Sequence, residues 1–340
     1  MRERRAKVTI SEVARLAEVS VATVSAVMNG TVKVSPVRTE QVRRAMSALN
    51  YRPDERGRSL RTGRSRLIGV VVPDVTNPFY PAILRDIEHA ARQRGYSVLL
   101  CDSANDPEQE RRHLEALYGR RVDGALVACT DSRTSYEWAE DRGFPVVFFE
   151  RIPLSGRFSA VSTDHAAAAA EATRHFLALG HRRIAFLVTN ETLSSNAARL
   201  AGFRAEMEAW GVAVHSELLR TGVEDASAAS AIALELSSIE QRPTAILATN
   251  SVLLLGVLSG ARKAGLRCPR DVSLICFDNP IWTEHFDPPC TTMAQPTEAI
   301  AKEAVRLLVE WVSEDRRKTG VVRLKDRLVL RGSTAPPPGR

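Results

Sequence analysis

Apolar positions along the chain follow two rhythms, and the change between them falls near residue 67. Up to about residue 50 the spacing is helical. Ile10, Val13, Ala14 and Ala17 recur at helical intervals, and after a turn Val24 and Met28 lie four apart. Ser20 precedes that second run as a cap. Ser35-Pro36 opens a third run, with serine as the cap and proline at the first helical position. The third apolar face is Val42, Ala45, Met46 and Leu49. Three short helices are therefore predicted, with Val21, Ala22, Ser25, Ala26 and Asn29 on the outward side of the second.

From Leu67 the pattern alternates. Residues 67–72 form a near-continuous apolar run ending at Pro73, as expected for a strand buried on both faces. A helical stretch over 80–94, Gly95 and a strand over 97–101 follow. Further strands are predicted at 124–128, 146–149, 184–188, 245–248 and 272–276, with helical stretches between them. Strands alternating with helices imply parallel sheets covered on both faces. A second such series begins near Asp164, so the expected core is α/β, made of two doubly wound parallel-sheet lobes. Ligands on such sheets bind beyond the carboxyl ends of the strands, and a cleft between two lobes is a natural site. The expected boundaries are 1–51 for the helical domain and 52–66 for a linker. The first lobe is 67–162 with about 292–318, and the second is 163–291 with about 319–335.

Charge sharpens this division. The chain of 340 residues has a net charge of +7, but it is unevenly spread. Residues 1–66 hold 15 Lys and Arg against 6 Asp and Glu, a net of +9; the other 274 hold 32 against 34, a net of −2. A basic end on a near-neutral body suits either a polyanion partner or a solvated tail. The linker is rich in Arg and too poor in apolar residues to fold alone, yet it carries one conspicuous large apolar residue, Leu60. No signal peptide or membrane-spanning run is legible, so a cytoplasmic protein with no membrane partner is expected. The five cysteines lack C-x-x-C spacing and the seven histidines lack metal spacing, so no metal, cofactor or disulfide is expected. No phosphate-binding loop, nucleophile elbow, zinc-protease or dinucleotide motif is present, which argues against an enzyme. A transport-type binding protein would share the core but would have no use for residues 1–62.

A helix, a short turn and a second helix within residues 10–29 are consistent with a helix-turn-helix. Spacing alone does not separate that motif from a plain helical hairpin. The detailed motifs do. Val8-Thr9-Ile10, the run EVARLAEVSVATVSAVMN at 12–29, Val34-Ser35-Pro36, and ALNYRP at 48–53 leading into GRSLR at 57–61 occur in this order. Residues 8–62 thereby resemble the N-terminus of the lactose repressor (LacI) family of bacterial regulators, and the similarity continues to about residue 333.

The resemblance implies a sequence-specific regulator, a repressor in kind, whose partners are double-stranded operator DNA, a small-molecule effector and a second copy of itself. It assigns DNA contacts to Thr9, Ser20, Val21, Ala22, Thr23, Ser25, Ala26, Asn29, Lys33, Tyr51, Gly57, Leu60 and Arg61. Ser25 and Asn29 would hold phosphates, and Val21, Ala22 and Ala26 would face bases. Small side chains there can touch thymine methyls but cannot make bidentate bonds to purines, which shifts specificity toward the linker. In the family the linker becomes a helix on DNA, and Leu60 would wedge a flexible step in the minor groove. Glu18 stands in the turn where relatives often carry glycine, so that turn must tolerate a side chain or take a negative φ. A single helix-turn-helix reads half a site, so a dimer on a pseudo-palindrome follows. The core is implied to have the periplasmic-binding-protein-like fold.

Carried over by position, the effector contacts are Phe79, Glu150, Arg199, Asn250, Asp278 and Gln295. They suit a polar ligand, such as a sugar or sugar derivative. Two departures weigh the other way. Ser251 replaces a common Asp, and no aromatic residue lies in 221–227 to stack on a flat ligand, although Trp282 is a candidate substitute. An effector-independent regulator with a degenerate pocket is the alternative.

Overall fold

The computed structural model describes residues 8–29, 33–51, 63–154, 157–314 and 316–339. The chain divides into two units, residues 1–65 and 66–340. The first unit contains α1 (Ile10–Leu16), α2 (Val21–Asn29) and α3 (Pro36–Ala48). Each begins where the sequence supplies a cap. Thr9 and Glu12 form a reciprocal capping box on α1. The Thr23 backbone N–H donates to Ser20 Oγ at 3.1 Å, and Ser35 caps α3 ahead of Pro36. Val13, Ala14, Ala17, Val24, Val42 and Ala45 make the core, with Ile10, Met28, Met46, Leu49 and Tyr51 packed around it. This is the apolar set the helical spacing predicts.

The second unit is two lobes. The first holds β1 (Leu67–Val72), α4 (Phe79–Gln93), β2 (Ser97–Asp102), α5 (Pro107–Gly119) and β3 (Gly124–Val127). It continues through α6 (Glu137–Asp141), β4 (Val146–Phe149) and β5 (Ser159–Thr163). The second lobe holds α7 (His165–Ala178), β6 (Ile184–Leu187), α8 (Ser194–Ala209), β7 (Leu219–Arg220) and α9 (Ala226–Ser238). It continues through β8 (Ala245–Ala248), α10 (Ser251–Lys263), β9 (Ser273–Phe277) and β10 (Thr291–Ala294). The chain then returns to the first lobe for α11 (Thr297–Glu314) and β11 (Gly320–Leu324), and ends in the second with β12 (Arg327–Val329).

The first sheet has the order β11-β5-β4-β3-β1-β2 and is parallel throughout. The second has the order β12-β10-β9-β8-β6-β7 and is parallel except at β12, which pairs antiparallel with β10. Helices cover both faces, which is why these strands read as continuous apolar runs. On β1, Ile68, Val70 and Val72 pack toward α4 and α11, while Val71 faces Leu114 and Leu117 of α5. In the second lobe, α7 and α8 carry Phe176, Phe203 and Met207 onto one face, and α9 and α10 carry Ala233, Leu253 and Val257 onto the other.

The expected crossovers at about 292 and 318 need correction. Residues 291–294 still belong to the second sheet, and 320–324 still belong to the first. Pairing decides this: Thr292 sits beside Cys276 of β9, whereas Val322 sits beside Val161 of β5. The lobes are thus joined by three short crossings, after β5, after β10 and after β11. Two of them are tied together, since the Asp164 N–H donates to the Leu324 carbonyl at 2.9 Å. Among the described residues no helix is long and apolar enough to cross a membrane, and no cluster of His, Cys, Asp and Glu could hold a metal.

Candidate functional site

In the first unit, α2 turns Val24 into the core and leaves Val21 and Ala22 exposed, with Ser25 and Ala26 half-buried. The turn before it keeps a left-handed residue: Glu18 has φ of 51°. Glu18 therefore adopts the conformation that glycine would occupy without strain. The hydroxyls of Thr9, Ser20 and Thr23 are engaged locally. Thr9 Oγ1 donates to Glu12 Oε2 at 2.9 Å, and Ser20 Oγ lies 2.9 Å from Thr23 Oγ1. Lys33 is exposed, and Tyr51 packs against the three-helix core. The Asn29 side chain and Gly57, Leu60 and Arg61 lie outside the described residues.

The second unit carries a cavity of about 620 Å³ at the carboxyl ends of the strands of both lobes. Asp74, Asn77, Asn105 and Thr130 line it from the first lobe; residues 189–193, 221–224 and Asn250 line it from the second. Arg151, which follows β4, also lines it. Beneath it is a much smaller space of about 20 Å³, lined by Phe79, Tyr80, Glu150, Arg199, Asn250 and Asp278 among others. That is room for about one water.

The floor of this site is a charged, buried network. Arg199, on α8, is 4% exposed. Its Nη1 donates to the Thr249 carbonyl at 3.2 Å, its Nη2 lies 3.4 Å from Glu150 Oε1, and its guanidinium stands 4.2 Å from the centre of the Phe277 ring. Glu150 Oε2 lies 3.1 Å from His165 Nε2. Burial opposes ionisation of Glu150, but the His165 and Arg199 side chains outweigh it and hold its carboxyl down at about 2. Burial pushes Asp278 the other way, up to about 6, although Arg199 pulls against that rise. Gln295 Nε2 donates to Asp278 Oδ1 at 3.1 Å.

Glu150 and Asp278 share a backbone feature. Each follows the last residue of a strand, β4 and β9, and each is left-handed, with φ of 58° and 70°. Such strained positions in residues other than glycine concentrate at functional sites. The structure brings five of the six expected effector residues together around the floor. Gln295 reaches them only through Asp278. Asn250 has a second task, since its Oδ1 accepts the Leu253 N–H at 2.8 Å and caps α10. Trp282 packs edge-on against Phe286 at 5.2 Å with the second lobe's core and does not line the cavity. No aromatic side chain among the described residues lines the larger cavity.

Residues 9–54 match the profile of bacterial regulatory proteins of the lacI family, and residues 173–334 match a periplasmic binding protein-like domain. The HTH-type transcriptional repressor PurR of Vibrio parahaemolyticus is 32% identical over 327 residues, which cover 96% of this chain and 98% of that protein. The chain belongs to the lacI family. The repressor CytR of Escherichia coli is similar to this lacI-family chain to the same degree, 32% over 327 residues and 96% of each. Among solved structures, the lac repressor dimer bound to operator and the anti-inducer ONPF matches with a TM-score of 0.86 at 25% identity, over 96% of this chain and 99% of that one. The regulator CelR in its cellobiose complex matches with a TM-score of 0.73 at 29% identity, over 96% and 99%.

This lacI-family chain is therefore a DNA-binding transcriptional repressor and not an enzyme. Its helix-turn-helix and its two parallel-sheet lobes are the fold the sequence predicts. Residue-by-residue carry-over missed the cavity wall: Arg151, Asn77, Asn105 and Asn190. The only signal for them in the sequence is position, because each follows or nearly follows a strand end.

Proposed function

We propose that this lacI-family repressor binds a pseudo-palindromic operator as a homodimer in the cytoplasm, and that a small polar effector in the cleft sets its affinity for DNA. The cavity of about 620 Å³ carries this reading. It lies at the carboxyl ends of both sheets, its size suits a small molecule, and its floor holds the buried Arg199, Glu150 and Asp278. A sugar or sugar derivative fits the polar lining. The operator-bound dimer of the lac repressor and the cellobiose complex of CelR support the same reading by likeness. The edge strand β2, with exposed Leu100 and half-buried Val98 and Leu99, offers a surface for a second copy.

In this mechanism the lobes pivot about their three crossings. They also touch directly: the Ser194 N–H donates to Ser132 Oγ at 2.9 Å, and the Ile152 N–H donates to Ser194 Oγ at 3.1 Å. A ligand shifts the lobe angle only if it binds one arrangement more tightly. Ser25 and Asn29 hold phosphates, Val21, Ala22 and Ala26 meet base edges, and Leu60 enters the minor groove. A second reading, a repressor indifferent to small molecules, draws on the internal pairing of Arg199 with Glu150.

Selection of the full chain on random DNA duplexes at near-physiological salt tests the DNA half. The expected winner is a pseudo-palindrome with a flexible central step, bound far more weakly by Leu60→Ala. Binding that is steeply salt-dependent but indifferent to sequence overturns it. The selected duplex then serves as the probe for an effector screen.

A further inference from the structure

Resting on the cleft reading above, we propose that the ligand of this cavity is an acceptor-rich anion: a non-aromatic polyol that bears a carboxylate or a phosphate. Three observations on the cavity wall carry this.

The first is the state of Arg151. Arg199 beneath it is already matched by Glu150. Arg151 lines both the cavity and its floor, and among the described residues it makes no ion pair. Its guanidinium stands 5.8 Å from the centre of the Tyr80 ring, a face that orients a cation without neutralising it. A half-buried guanidinium presents a planar fork of donors that matches carboxylate and phosphate oxygens.

The second is the state of the asparagines. An asparagine side chain offers an acceptor and a donor group. In Asn77, Asn190 and Asn250 the acceptor is consumed by the chain itself. Asn77 Oδ1 accepts the Phe79 N–H at 3.1 Å, Asn190 Oδ1 accepts the Thr192 N–H at 2.9 Å, and Asn250 Oδ1 accepts the Leu253 N–H at 2.8 Å. In each the Nδ2 group has no acceptor among the described residues, and all three residues line the cavity beside Asn105, whose side-chain amide is uncommitted. Three uncommitted amide donors and one cation on lining residues favour a ligand rich in acceptors.

The third is what the wall lacks or has withdrawn. Asp74, the carboxylate on the first-lobe wall, already accepts from the Thr76 N–H at 2.8 Å and Thr76 Oγ1 at 2.6 Å. Glu191 and Glu224 line the second-lobe side of the same cavity and are exposed, so solvent screens their charge more than that of the half-buried Arg151. Among the described residues no aromatic ring lines the larger cavity, so a nucleobase there would lose the contact that favours a flat ligand most.

The test uses the full chain, thermal shift and calorimetry. The probes are D-gluconate and D-glucose 6-phosphate, with D-glucose and cytidine as neutral comparators. The expected result is that one of the anions binds, and that Arg151→Gln weakens it by at least about tenfold while Arg151→Lys recovers part of the loss. Preference between the two anions distinguishes carboxylate from phosphate. Unliganded melting of both variants reports whether they fold as the parent does. If D-glucose or cytidine binds instead, weakened by Asn190→Ala but not by Arg151→Gln, the cleft reading stands and the anion is wrong. If an anion binds with neither variant mattering, its site lies elsewhere and the cleft reading fails with it. If neither anion binds at millimolar concentration, the proposal is overturned.

Discussion

Arg199 and Glu150 form an ion pair across the two lobes, with both side chains almost wholly buried and 3.4 Å between Nη2 and Oε1. The pair joins the end of β4 in the first lobe to α8 in the second. Removing Arg199 leaves the buried Glu150 carboxylate with His165 as its remaining close partner, and breaking a buried pair costs about 3–5 kcal/mol. Arg199→Ala is expected to lose stability on that scale in urea denaturation, and to lose any response to effector. A loss under about 1 kcal/mol, the value of an exposed pair, would show that the pair is solvated.

Acid titration should act on this network from two sides. Burial lifts Asp326, on the crossing after β11, from 3.8 to about 7, with Arg199 opposing the rise and Glu150 adding to it. The folded state thus holds a proton that the unfolded chain releases near 3.8. Its stabilising effect is complete below that value and is lost as the pH rises through about 7. Asp326→Asn should flatten the decline of stability between those limits and melt higher than the parent at pH 8. Glu150 has the opposite sign. Its contribution is present above the ordinary 4.5 and is lost as the pH falls through about 2. Melting curves across this range check both limbs.

Two helix pairs of the second lobe touch through glycine. A Cβ on Gly202 would overlap the Ala166 carbonyl, and one on Gly256 would overlap the Ala226 carbonyl. Gly256→Ala is expected to destabilise the core by about 1–3 kcal/mol, the usual range for overpacking. It does so although alanine favours helices by about 1 kcal/mol over glycine. An unchanged midpoint in urea would mean that α9 and α10 can separate freely.

Glu18 gives a prediction of opposite direction. A left-handed L-residue costs about 1–2 kcal/mol, and glycine returns about 0.5–1 of that through backbone entropy. Glu18→Gly should therefore stabilise the helix-turn-helix by up to about 1 kcal/mol. Hydrogen exchange of α1 and α2 amides is the direct measurement.

Ala26 tests where sequence is read. Its short side chain cannot make bidentate contact with a purine. Ala26→Arg is expected to add a preference for guanine at one symmetric position in each half-site. Selection on random duplexes that returns the parental operator unchanged would show that this face of α2 does not meet base edges.

How much of this was legible depends on the length of each signal. The run 67–72 and the caps Ser20 and Ser35-Pro36 were plain, because helical spacing, buried strands and capping are local rules. The Ser/Thr-rich strand β5, the two-residue β7 and the late strands β10, β11 and β12 were not. Their residues, such as Ser159, Ser162 and Thr163, acquire a strand's burial only through neighbours such as Val321 and Val322 of β11, far along the chain. The crossovers were misplaced for the same reason. The effector residues were found by resemblance, and the structure adds what position alone does not carry. Asn77 and Asn190 turn their oxygens to their own backbone, and Gln295 acts on the cleft only through Asp278.

The sequence by itself determined the helix-turn-helix, the alternation of strands and helices, and the lacI-family membership, since each is written in short-range periodicity or in ordered motifs. Only the tertiary structure decided which charges in the cleft are spent and which remain. Arg151 and Arg199 are identical side chains, but one is enclosed beside Glu150, Thr249 and Phe277 and the other stands at the cavity wall beside the ring of Tyr80. Ionic pairing depends on distance and burial. Those are set by how the strand ends and helices of the two lobes meet and not by the order of residues within either.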